Sequence, residues 1–219
     1  MIKECIPDIT ASDHYSAKIS AYLRAYGTKY DFCRFYSGNG FTAMLFNSSL
    51  TVSGIPENTD EFENFIAFLA PYTIESSLSE FTGYSAHEIT LFRGRTEYCG
   101  NAEKISSVYE MSELVSRLLG VDRELWYTDM SHRIRHGISA AYKCGGSYAA
   151  TDFIYNGYAY ISSVVSPENE RNKGNIKAIF SEISKSHGIY VLAEPELYGF
   201  YEHIGLKAEK KQYLLIRQG

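Results

Sequence analysis

Apolar and polar positions change period several times along the chain, and each change predicts an element. From Asp13 to Tyr26, residues Ala17, Ala21, Tyr22 and Ala25 share one helical face, with Asp13 placed to cap it. Phe32–Tyr36 and Phe41–Leu50 read as the two strands of a hairpin, turned by Ser37-Gly38-Asn39-Gly40, whose residues tolerate positive φ. A helix opening at Asn58 or Thr59 carries Phe62, Phe65, Ile66 and Leu69 and is ended by Pro71. A short strand, Tyr72–Leu78, and irregular or strand material then lead to about Tyr98.

The second half repeats this order of helix, hairpin, helix and strand, which suggests a duplicated unit. A helix from Tyr109 to Leu119 is stopped by Gly120, and a shorter one runs from Asp122 to about Thr128. Ser131–Tyr142 alternates like a strand. Ser147–Tyr155 and Tyr158–Val165 flank Asn156-Gly157, a hairpin turn, and Pro167 ends the second of them. Ile176, Ile179, Phe180 and Ile183 then mark an amphipathic helix. Because that helix separates them, the apolar strand Ile189–Ala193 is expected parallel to Tyr158–Val165. A short helix, Glu196–His203, closes at Gly205, and Leu206–Arg217 forms the last strand or hairpin. The pattern is that of an α/β (α+β) protein with a mixed sheet flanked by helices.

Composition narrows the function. The 219 residues carry 21 Lys+Arg against 26 Asp+Glu, a net charge of −5, which argues against a nucleic-acid partner. With 45% apolar and 21% charged residues the chain can bury a core. No apolar run reaches the roughly 18–20 residues that span a membrane. The opening residues lack the build of a signal peptide, so a soluble cytoplasmic protein is expected. Cys5, Cys33, Cys99 and Cys144 are scattered, with neither disulfide-framework nor zinc spacing, and no metal is expected. Tyrosine is abundant, at 19 residues, so no single tyrosine stands out without its neighbours.

The chemistry concentrates between Tyr158 and Ile176. A strand ending at Val164-Val165 runs through a polar loop with Arg171, Lys173 and Gly174 straight into a helix. The first N–H groups of a helix have no intrahelical partners and carry partial positive charge, so such a junction can hold an anion. Neither a P-loop nor a Rossmann glycine pattern is present, so the phosphate ligand is of another kind. The segment Arg171-Asn172-Lys173-Gly174-Asn175-Ile176 resembles the [QR]-x-x-G-x-[GA] loop of the GCN5-related N-acetyltransferase (GNAT) family. Phe200-Tyr201-Glu202-His203-Ile204-Gly205-Leu206-Lys207 resembles a second segment of that family. Asp129-Met130-Ser131-His132-Arg133-Ile134-Arg135-His136-Gly137 is similar to a stretch seen in its bacterial two-part subgroup. The resemblance covers about residues 107–219, and the first half only by element order. In one respect the sequence departs from the pattern, since Ile176 stands where the family has a small residue.

The resemblance implies an N-acetyltransferase domain over 107–219, preceded over 1–106 by a degenerate GNAT-like or acceptor-shaping part. It implies acetyl-CoA as cosubstrate and the amine of a small molecule or peptide as acceptor, acetylated by direct attack. Asn172, Lys173, Gly174, Asn175 and Ile176, with Arg171, would then hold the diphosphate, and a backbone N–H at Val164 or Val165 would polarise the thioester. Tyr201 would act as the acid toward the leaving sulfur, and Tyr198 would line the pantetheine channel; the base is a carboxylate, a histidine or a water chain, with Glu194 a candidate from its place at the end of the Ile189–Ala193 strand. Glu168 and Glu170 place negative charge close to the anion, which is tolerable only where both carboxylates face solvent. The other reading is a catalytically inactive CoA-binding or protein-interaction module of the same fold. On the expected strand, Arg133 and Arg135 share a face and offer either a clamp for an acceptor carboxylate or a CoA phosphate, or a solvated basic face, while His132 and His136 would stand about 13 Å apart, too far to share a metal. Phe32, Phe35, Phe41 and Phe46 offer a surface for a homodimer.

Overall fold

A computed structural model describes residues 1–9 and 13–218. Two compact units emerge, Met1–Thr90 with Lys210–Gly219, and Leu91–Glu209. Residues 91–106 lie in the second unit and residues 210–218 in the first.

The first unit opens with strand β1 (Lys3–Glu4) and helix α1 (His14–Tyr26). Asp13 starts α1 because its carboxylate accepts the Ser16 N–H at 2.7 Å while Ser16 Oγ accepts the Asp13 N–H at 3.0 Å, a reciprocal capping box. Three strands follow, β2 (Cys33–Gly38), β3 (Phe41–Phe46) and β4 (Ser49–Gly54), paired antiparallel in sequence. The run Phe41–Leu50 is therefore not one strand. It folds back at Asn47, which takes the left-handed φ of +52° that asparagine tolerates. Helix α2 (Thr59–Leu69) crosses over to β5 (Thr73–Ser76), parallel to β4 through three rungs, Ser49↔Thr73 to Thr51↔Glu75. The C-terminal strand β12 (Leu206–Arg217) borders β5 antiparallel. Phe62 and Ile66 of α2 pack on Ala43, Leu50, Val52, Ile74 and Leu215 to form the core. Phe35 (1% exposed) and Phe41 (6%) are buried in this unit, which leaves Phe32 as the exposed member of the aromatic set expected to form a dimer surface.

Strand β6 (Tyr84–Gly94) leads into the second unit, which continues with β7 (Glu103–Ile105), α3 (Tyr109–Leu119) and α4 (Arg123–Arg135). Then come β8 (Ala141–Cys144), β9 (Ser147–Tyr155), β10 (Tyr158–Val165), α5 (Asn175–Ser184), β11 (Gly188–Ala193) and α6 (Tyr198–His203). The strand order is β6-β11-β10-β9-β8-β7, antiparallel from β7 to β10 and parallel between β10 and β11. Alternation sorts the side chains onto two faces. Ala140, Tyr142 and Ala149 meet Ile179, Phe180 and Ile183 of α5, while Ala141, Tyr148 and Ala150 meet Met111 and Val115 of α3 and Met130 of α4.

The segment from Ser131 is helix as far as Arg135, and the expected strand begins only at Ala141. Asp129 and Arg133 lie one turn apart and form an ion pair at 2.5 Å, which a strand could not make. His132 and His136 accordingly come together, their rings 4.3 Å apart rather than far apart along a strand.

Candidate functional site

The parallel ladder between β10 and β11 has four rungs, ending at Ile161↔Val191, although β10 continues to Val165 and β11 to Ala193. On its other side β10 changes register against β9 on either side of Ile161. Such bulges bend a strand and end its pairing. The strands therefore part where the loop to α5 begins.

That loop is shaped by its backbone. Pro167 leads a 3-10 turn, Glu168–Glu170, and Asn172 (φ +60°) and Gly174 (φ +80°) then take left-handed conformations. A Cβ on Gly174 would meet nothing within 4 Å, so glycine serves the turn here and not a close packing. Gly174 is the N-cap of α5 and carries no side chain to accept its first N–H groups, and the first turn holds no acidic residue. These donors face a cleft of about 500 Å³. Its walls are Arg171, Asn172 and Gly174 through Lys177 on one side, and Leu197, Phe200, His203 and Ile204 on the other.

Charge around the loop is partly neutralised. The Glu170 carboxylate does not face solvent alone. It accepts from Asn175 Nδ2 (2.9 Å), Lys173 Nζ (3.1 Å) and the Gly146 N–H (3.4 Å). The Lys173 hydrogen bond, followed by that from Gly146, holds its pKa below the usual carboxylate range. Lys173 is thereby engaged with Glu170. Arg171 donates Nε to the Ser166 carbonyl at 3.3 Å, and neither it nor Lys177 has an ion pair among the described residues. Ile176 lines the cleft and also packs against the α5 face of the core, so its larger side chain is accommodated.

The other expected residues are placed as follows. Val164 packs half-buried on the α5 side and Val165 is buried on the α3 side, both on β10 beyond the last parallel rung. Tyr201 is 4% exposed, packed against Phe92, Phe180 and Phe200, and burial pushes its pKa up to about 12. Its hydroxyl has no hydrogen-bond partner among the described residues, yet it is not among the fully enclosed polar atoms. Tyr198 is half-buried with its ring 5.3 Å from Phe92. Glu194 is exposed at the end of β11 and is not on the cleft wall. Arg133 is 5% exposed and bound to Asp129, Asp152 and the Asp152 carbonyl (2.9 Å), so its charge is already met inside the unit, while Arg135 is exposed at the end of α4.

Reading the sequence for roles missed the far wall of the cleft. Leu197, Phe200 and Ile204 recur at i, i+3 and i+7, a spacing that already places them on one helical face beside His203. Lys177, in the first turn of α5, was readable from the same junction as Arg171.

A mixed sheet whose two parallel central strands diverge beside an uncapped helix is the fold of the GCN5-related N-acetyltransferases, and solved structures bear this out. The chain is similar over 97% of its length to 97% of a GCN5-related N-acetyltransferase from Kribbella flavida, at 12% identity and a TM-score of 0.64. A GCN5-related N-acetyltransferase from Sphaerobacter thermophilus matches 100% of this chain with 96% of its own, at 13% identity and a TM-score of 0.57. A tandem GNAT protein from the clavulanic acid biosynthesis pathway matches 91% with 86% of its own, at 10% identity and a TM-score of 0.54. No family model and no curated protein sequence matches the chain.

Proposed function

We propose that the chain is an acyl-CoA-dependent N-acetyltransferase, moving an acetyl group from acetyl-CoA to the amine of a small molecule or peptide. The observation that carries this reading is the uncapped start of α5, open to a cleft of about 500 Å³ at the point where β10 and β11 part. Acetyl-CoA, when bound, supplies an activated acetyl group. The amides of Asn172 to Ile176, with Arg171 and Lys177, suit a diphosphate, since they combine open donors, helix polarity and two uncommitted cations. Glu170 does not oppose this strongly, because Lys173 offsets its charge.

The chain's own groups would divide the chemistry. A backbone N–H at Val164 or Val165 polarises the carbonyl oxygen. Glu194, or water beside it, accepts the proton that the amine loses as the C–N bond forms and the C–S bond breaks. Tyr201 offers its hydroxyl to the departing sulfur. With a phenol near 12 and a thiol near 8.5, complete proton transfer is uphill by about 5 kcal/mol, so Tyr201 acts chiefly by donating a hydrogen bond. The same mismatch favours the second reading, a CoA-binding module without turnover. In this scheme Arg133 serves the fold, and Arg135 remains as the cation for an acceptor. The first part serves as a degenerate copy.

Calorimetric titration with acetyl-CoA, paired with thiol release over a panel of amines, tests the reading. Saturable binding with turnover is expected. In Tyr201→Phe, turnover should drop about 10–100-fold with acetyl-CoA affinity unchanged. No saturable binding at millimolar acetyl-CoA removes the proposal, and binding without thiol release selects the second reading.

A further inference from the structure

Glu170 is an acid on the wall of the cleft at the open start of α5, and by charge alone it should weaken an anion held there. Its surroundings give it another part. The carboxylate is met by donors from three places: the Gly146 N–H in the turn between β8 and β9 (3.4 Å), Lys173 Nζ in the loop (3.1 Å) and Asn175 Nδ2 on the first residue of α5 (2.9 Å). Asn175 also donates to Ser147 Oγ at 3.4 Å, and Ser147 Oγ lies 2.8 Å from Ser166 Oγ, where the loop begins. The β8–β9 turn makes room for this seat by having no side chains. A Cβ on Gly146 would come within 2.9 Å of Glu170 Cγ, and one on Gly145 within 3.0 Å of Glu170 Oε2 and 2.9 Å of Asn175 Nδ2.

Lys173 sits between two left-handed residues, Asn172 and Gly174, a turn that a free chain does not favour. The ion pair to Glu170 pins the middle of that turn, and the Asn175 bond pins the residue that follows it. We propose that Glu170 is a positioning residue for the diphosphate, an acid that strengthens anion binding by fixing the amides of Asn172 to Ile176 in place, a role that rests on the acetyl-CoA reading above. A loop already held in its binding conformation spares the ligand the cost of ordering it. The opposing charge is small, because Lys173 and two N–H donors already meet the carboxylate, whose side chain is only 20% exposed.

The test titrates the full chain with two probes, acetyl-CoA by calorimetry and inorganic pyrophosphate by the amide resonances of Gly174 to Ile176. Removal of a nearby negative charge alone would tighten both probes in Glu170→Ala, whereas loss of the positioning contacts should weaken both about tenfold. Glu170→Gln keeps an oxygen of the same reach for Gly146 and Asn175, and should bring affinity back to within about threefold of wild type. Gly146→Ala leaves every charge in place but displaces the carboxylate, and should weaken both probes several-fold. Equal or tighter binding by Glu170→Ala overturns the proposal, and so does Glu170→Gln binding as weakly as Glu170→Ala. Wild type that binds pyrophosphate but not acetyl-CoA removes the acetyl-CoA reading, and the role of Glu170 is then decided on pyrophosphate. Wild type that binds neither probe removes both.

Discussion

The crossovers β4–α2–β5 and β10–α5–β11 have the same topology and opposite helix starts. Each leaves the last strand of an antiparallel run, passes through a helix and returns parallel, with three rungs in the first unit and four in the second. In α2 the Asn58 side chain accepts the Glu61 N–H at 3.0 Å, and Asp60 and Glu61 fill the first turn. In α5 the cap is a glycine, the first turn has no acid, and Arg171 and Lys177 stand nearby. One start satisfies its donors from within and stabilises its dipole with carboxylates; the other leaves its donors without a side-chain cap. Shared topology thus repeats the crossover, while three or four residues at the helix start decide whether its donors are met from within.

The diverging ends differ in the same way. Past the last rung of β4, Ser53 donates to Asp13 at 3.1 Å, so the start of α1 occupies that position, with buried His14 next in the chain. Burial, reinforced by the charge of Lys210, pushes the His14 pKa down to about 3 against the pull of Asp13. Between pH 6.5 and 3 the unfolded chain therefore holds a proton that the folded one does not, and stability falls as pH drops through this window. From pH 7 to 4 this amounts to about 3 kcal/mol. Urea unfolding of wild type and His14→Gln across that range should show the variant losing less by about this amount. Equal acid slopes would show that the first unit's filled end is not acid-sensitive through His14.

A second prediction makes the α5 start resemble that of α2. Gly174→Asp places a carboxylate where the diphosphate is proposed to lie, and Asp tolerates the left-handed φ of +80° better than most residues, so the fold should persist. Acetyl-CoA affinity should fall about 100-fold, with little change in the circular dichroism spectrum. Unchanged affinity would break the comparison, because the helix start would then not be what distinguishes the two crossovers.

Much of this was legible in the sequence where a local pattern agreed with the final environment. The α5 stripe of Ile176, Ile179, Phe180 and Ile183, the Asn156-Gly157 turn and the parallel return of β11 all stand as read, because each buries the face that its spacing advertises. The end of α4 was misread because only Met130 and Arg133 are buried along it, so no apolar stripe marks a helix, and Ser131 to Arg135 alternates by chance. What holds it helical is an ion pair one turn apart and a distant acid, Asp152, which no local window contains. Strand β6 does not stand out from irregular material in the sequence for a related reason. Its first half is largely exposed and Ile89–Phe92 is buried throughout, so neither part alternates. At the candidate site the open donors were readable from Arg171–Ile176, but the wall from α6 depended on tertiary packing.

The smallest expected effect is also the cleanest control. Asn58→Ala removes the side chain that satisfies the Glu61 N–H, and loss of such a cap costs about 1 kcal/mol. The first unit should then unfold at lower urea by that amount. Acetyl-CoA affinity should stay within about twofold of wild type, because nothing in the α2 start is left open to a ligand. If the variant instead bound acetyl-CoA at a second, weaker site, removal of the cap would have uncovered in α2 what Gly174 leaves open in α5. The difference between the two crossovers would then rest on one side chain, and the acids Asp60 and Glu61 would matter less than their charges suggest.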